Sequence, residues 1–158
     1  ETNSLLFTLL CIIENIPLCF SLASIDRHQT RFPIVYVNKF FEMFTQYNRN
    51  ETIGKKIGFL QNSSNNSFWE HYSHDIMLAL QEKKTFTTTV VNFRKNGQTF
   101  PSLMCLNPIY NIIGECEYIA VVHFDCLNAT SNSEGVMVLA NELMNSLMQI
   151  SCGTRNSL

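Results

Sequence analysis

The chain has 158 residues, and 46% of them are hydrophobic, twelve being phenylalanine. That content excludes a disordered chain and is enough for one domain with flanking segments. Charged residues make up 15% and the net charge is −2. This excludes a strongly basic nucleic-acid binder and, set against about 25% in an average globular protein, suggests surface covered by a partner or a second copy.

In chain order, residues 4–14 carry Leu6, Leu9, Leu10 and Ile13 at helical spacing. The apolar run is too short to span a bilayer, so no membrane segment is expected. Because the chain begins with Glu1, it reads as a piece of something longer. Pro17 stops the helix, since the residue before a proline is pushed out of the α region. Residues 18–24 read as a short strand, 26–33 as a polar loop, and the β-branched run 34–37 as a second strand. A short helix over 38–47 points Phe40, Phe41 and Phe44 inward. Asn48 and Glu51 form a capping-box pattern for a one-turn helix ending at Gly54. Residues 62–67 are an Asn/Ser loop, and 68–82 form a longer helix with Trp69, Tyr72, Ile76, Ala79 and Leu80 on one face.

Three strands follow, at 86–94, 98–109 and 115–126. A hairpin turn at 95–97 joins the first two, with Asn96-Gly97 supplying positive φ. The next turn lies at 111–114. After a polar linker at 128–133, a last helix is expected over 134–150. Five strands with helices on one face define an α+β domain with an antiparallel sheet. The six cysteines, at 11, 19, 105, 116, 126 and 152, have no Cys-x-x-Cys spacing and read as apolar thiols in a reducing, cytoplasmic compartment. No catalytic motif emerges, so an enzyme is not expected.

Three segments carry a family resemblance. They are Phe32-Pro33-Ile34-Val35-Tyr36-Val37-Asn38, Gly54-Lys55-Lys56-Ile57-Gly58-Phe59-Leu60-Gln61, and Asn92-Phe93-Arg94-Lys95-Asn96-Gly97-Gln98-Thr99-Phe100. The second resembles the signature G-R-N-C-R-F-L-Q and the third N-Y-x-K-x-G-x-x-F. Both belong to the PAS fold, in its flavin-binding LOV (light, oxygen, voltage) branch. The resemblance covers residues 17–127, with 1–16 as an N-terminal flanking helix and 128–158 as linker and C-terminal flanking helix.

The resemblance implies a cysteine that attacks the flavin under blue light, but its position holds Ile57. The neighbouring asparagine and phosphate-binding arginine become Lys56 and Gly58, and His74 and Met77 stand where a second arginine is expected. A phosphate prefers the bidentate guanidinium fork that these residues lack. Asn38, Gln61 and Asn92 match polar positions of the family. Its second hairpin asparagine becomes Ser102 and its last-strand glutamine becomes His123. The implied module senses or regulates by protein contact, as a homodimer or on an effector domain, through the sheet face and the flanking helices. No metal or cofactor is expected. The alternative is a ligand sensor that holds flavin mononucleotide (FMN) without an adduct or, on His74, haem.

Overall fold

The structure, a computed structural model, describes residues 2–25, 32–61, 67–111 and 113–126, with positions 138, 142 and 145. The elements are α1 (Thr2–Ile13), β1 (Cys19–Ser24), β2 (Ile34–Val37), α2 (Lys39–Thr45), α3 (Arg49–Thr52), α4 (Ser67–Gln81), β3 (Phe86–Phe93), β4 (Thr99–Tyr110) and β5 (Cys116–Asp125). The expected linker at 128–133 and nearly all of the expected helix at 134–150 lie outside the described residues. Val138, Glu142 and Asn145, which are described, are helical and exposed.

The strands form one antiparallel sheet in the order β2-β1-β5-β4-β3. Side-chain alternation sorts residues to its two faces. On the inner face, Cys19, Ala23, Val90, Met104, Leu106, Ile119 and Val121 pack with Phe41 of α2 and Ile76 of α4. On the outer face, Phe20, Leu22, Ile109, Ala120 and Val122 pack under Ile13, with Leu6, Leu9 and Leu10 half-buried against them. Helix α1 therefore covers the outer face from within the chain, while Phe7 and Ile12 on its other side stay exposed. The inner face carries α2, α3 and α4, as the sequence pattern implies.

Local signals explain the short elements. Asn48 caps α3, accepting from Glu51 N–H at 2.9 Å while the Glu51 carboxylate accepts from Asn48 N–H at 3.1 Å. Gly54 follows at φ 86. The β3–β4 hairpin turns where expected, and the positive φ of the Asn-Gly pair falls on Gly97, at 85. Gly97 N–H donates to Arg94 O at 2.9 Å, and Arg94 N–H to Gln98 O at 2.8 Å. This is a type I turn closed by a left-handed glycine, which needs only one residue at positive φ.

Candidate functional site

Four of the polar residues singled out in the sequence meet on the inner face. Gln61 ends a 3-10 turn at Phe59–Gln61, and Asn92, Ser102 and His123 come from β3, β4 and β5. Register brings them together. Asn92 lies opposite Phe100, Val90 opposite Ser102 and Met104 opposite His123, so Ser102 sits on the diagonal between Asn92 and His123.

Gln61 Nε2 donates to Asn92 Oδ1. Asn92 Nδ2 donates to Ser102 Oγ at 2.6 Å and lies 3.2 Å from His123 Nδ1, which is 3.4 Å from Ser102 Oγ. An amide nitrogen only donates, so His123 Nδ1 accepts and the ring proton sits on Nε2. Asn92, Ser102 and His123 are all buried. Burial pushes the His123 imidazolium down to about 4, which keeps the ring neutral at neutral pH. Gln61 Oε1 is buried without a hydrogen-bond partner.

The other expected site residues lie elsewhere. Ile57 is buried in the inner core with Leu60, Phe41 and Met104. Asn38 is buried, but its amide does not join the polar chain. It caps α2 by accepting from Phe41 N–H at 3.0 Å, and it accepts from Phe20 N–H at 3.2 Å. Its Nδ2 donates to Ile13 O at 3.0 Å, Ile16 O at 3.3 Å and Leu18 O at 2.8 Å. Asn38 is thus a structural joint, because every polar atom of its side chain is spent on backbone. His74 is exposed on α4 rather than directed into the core, which does not suit an axial haem ligand.

The sequence did not mark a second polar cluster, where α1 meets α3. Arg49 Nη2 contacts both oxygens of Glu14, at 2.8 and 3.0 Å, and donates to Val37 O at 2.8 Å. Tyr36 donates to Glu14 and to Leu10 O. Burial pushes the Glu14 carboxyl up, but the Tyr36 hydroxyl and Arg49 guanidinium outweigh it and hold the group below its usual range. Glu14 and Arg49 are 35 residues apart, so no local pattern pairs them.

A flavin asks for amide groups along its ring edge and cations at its phosphate. Here the Asn92 amide is already satisfied by Gln61, Ser102 and His123. Both described arginines are committed, Arg49 to Glu14 and Arg94 to Phe44 O, between the rings of Phe44 and Phe100. Lys55 lies over the rings of Tyr47 and Phe59. In this arrangement the described residues do not fit a flavin phosphate, and among them only Gln61 Oε1 offers the ring edge an unused group. Among the described residues, no group of three or more His, Cys, Asp or Glu side chains could hold a metal ion. No helix among them is long and apolar enough to cross a membrane.

The five-stranded sheet with α2–α4 on its inner face defines a PAS-type sensory domain. Residues 23–126 match the PAS domain family, and the chain belongs to it. Within that family it is of the LOV type. It is 35% identical over 86 residues to a blue-light photoreceptor of Listeria innocua, a match covering 54% of this chain and 33% of that protein. It is 26% identical over 139 residues to blue-light-activated histidine kinase 2 of Erythrobacter litoralis, covering 88% and 38%. The solved Rhodobacter sphaeroides LOV protein superposes with a TM-score of 0.73 over 98% of this chain and 85% of that one, and at 18% identity this is a likeness of fold. A solved RNA-binding light-oxygen-voltage receptor has a TM-score of 0.65 at 26% identity, over 89% and 38%. The chain thus spans 33% and 38% of the length of these two curated relatives.

Proposed function

We propose that this chain is a regulatory LOV-type PAS module that acts through protein contacts and forms no cysteinyl–flavin adduct. Ile57 carries the reading. A buried isoleucine without a nucleophile stands where the resemblance puts the reactive cysteine, packed among Phe41, Leu60 and Met104. The polar chain supports it, since Gln61, Asn92, Ser102 and His123 bond mainly to one another. The relatives named as a photoreceptor and a light-activated kinase support control of an effector domain as its setting. Partner contact is proposed through the exposed side of α1, where Phe7 is 69% and Ile12 55% exposed, with a second copy or an effector as the partner. A cytoplasmic location and the absence of catalysis in this domain belong to the same proposal.

An absorption spectrum of freshly purified protein, repeated after incubation with FMN, tests it. The expected spectrum has no flavin band at either stage. A retained flavin band would overturn the reading in favour of a non-adduct flavin sensor. Gln61 Oε1, buried with no partner, is the observation that favours that alternative.

A further inference from the structure

An open groove of about 330 Å³ lies at the other end of the sheet from the polar chain. Its Tyr110 is eight residues along β4 from Ser102, which is roughly 27 Å of extended strand. Ile25, Phe32, Met77, Leu80 and Tyr110 line it, and Lys83 stands at its rim. The Tyr110 hydroxyl donates to Leu80 O at 2.7 Å, which fixes the ring as a wall. Cys116 also lines the groove, and burial pushes its thiol up to about 11.

The end of α4 builds the rim. Lys83 N–H donates to Leu80 O at 3.3 Å and Lys84 N–H to Ala79 O at 2.8 Å, the paired bonds of a Schellman cap. Lys83 occupies the left-handed position of that cap, with φ 56. Glycine adopts this conformation freely and lysine does not, so the chain keeps a lysine where backbone preference favours none. The ammonium lies 5.2 Å from the Tyr110 ring centroid, over the groove wall. Its neighbour Lys84 is paired with Glu82 at 2.9 Å.

We infer that this groove binds an apolar monocarboxylate, with its tail on Phe32, Met77 and Leu80 and its carboxylate on Lys83. Among the described residues, one cation at the lip of apolar walls matches one negative charge joined to an apolar body. A dianionic phosphate calls for more donors than Lys83 supplies. At about 30 Å³ per water-sized group, the volume takes roughly ten heavy atoms. The inference adds a ligand to the proposed function and does not rest on it, since the groove shares no residue with the polar chain.

Calorimetric titration of the whole chain with decanoate tests it, with decanol and acetate as controls. Decanoate is expected to bind saturably at one site, decanol at least tenfold more weakly, and acetate not at all. Lys83→Gly relieves the strained cap, so it should raise the thermal midpoint while weakening decanoate at least tenfold and leaving decanol unchanged. Loss of binding in a protein made more stable has no explanation in misfolding. Should that variant unfold more easily, Lys83→Gln decides, because it removes the charge and leaves the apolar walls intact, so it should weaken decanoate but not decanol. No saturable binding of decanoate, or binding that neither variant weakens, overturns the inference.

Discussion

Replacing Asn38 with alanine isolates the joint that ties α1, β1 and α2 together. The side chain makes five hydrogen bonds to backbone, and all of them vanish together. Two of the carbonyls keep another partner, because Ile13 O also accepts from Ile16 N–H and Ile16 O from Leu18 N–H. Phe20 N–H, Phe41 N–H and Leu18 O are left without the bond Asn38 supplied. Loss of an N-cap costs about 1 kcal/mol, and each buried group left unsatisfied costs about 1–3 kcal/mol. Water reaching the cavity recovers part of this, so the expected loss is about 3–5 kcal/mol. For a chain of this length it lowers the thermal midpoint by roughly 6–20 °C. Urea unfolding followed by circular dichroism measures the loss, and hydrogen exchange should show faster opening at Phe20 and Phe41. Asn38→Ser keeps an acceptor for the cap and should recover about 1 kcal/mol of it. A loss below about 1 kcal/mol in Asn38→Ala would refute the reasoning, since the backbone groups would then be satisfied without the amide.

The pH dependence of stability should carry a signature of His123. Its folded value is pushed from 6.5 down to about 4, so between those values the unfolded chain binds the extra proton and the native chain does not. Stability from this group is complete above 6.5 and falls by roughly 3 kcal/mol as pH drops to 4. Urea titrations of wild type and His123→Gln at pH 7, 5.5 and 4.5 test this, and parallel curves would remove His123 from the account. The β3 register makes a second prediction, because the Arg94–Gln98 bond fixes which residues of β3 face β4. Thr88 then bonds across to Met104, while the Thr89 N–H points to the open edge of the sheet. Thr88→Pro should cost roughly 3 kcal/mol or more and Thr89→Pro under about 1 kcal/mol, with equal losses in urea unfolding counting against the register.

Much of the fold was legible because its signals are local. Strand β2 is a β-branched run between Pro33 and Asn38, and the Asn48–Glu51 box marks α3 within a few residues. The candidate site was legible through motif resemblance, which singled out Gln61, Asn92, Ser102 and His123 before any geometry joined them. Bonds between distant residues escaped it. Gln61 and Asn92 are 31 apart, and Asn38 reaches carbonyls 20–25 residues earlier. Asn38 matched a family position, yet the match did not say that its amide would be consumed by backbone. The Asn96-Gly97 pair marked the hairpin, but not that its positive φ would fall on Gly97 alone. For His74 a histidine on the right helix was not enough, because helical phase sends its ring to solvent.

Strand β5 serves both faces of the sheet, and this bears on where a change at the polar chain is felt. Val121 and His123 point inward, while Ala120 and Val122 lie on the outer face in the cluster with Ile13 of α1. Neighbouring residues on one strand thus belong to the polar chain and to the floor under α1. Close-packed interiors transmit small shifts rather than absorb them. A rearrangement around His123 would act on the strand that floors α1, and α1 is held there by Asn38 on Ile13 O and by Glu14 on Arg49. The outer side of β3 has no such cover, since Thr87, Thr89 and Val91 are exposed. In the proposed function this adjacency gives movement of the inner face a path to the N-terminal helix, the element whose exposed apolar side the proposed partner contact uses.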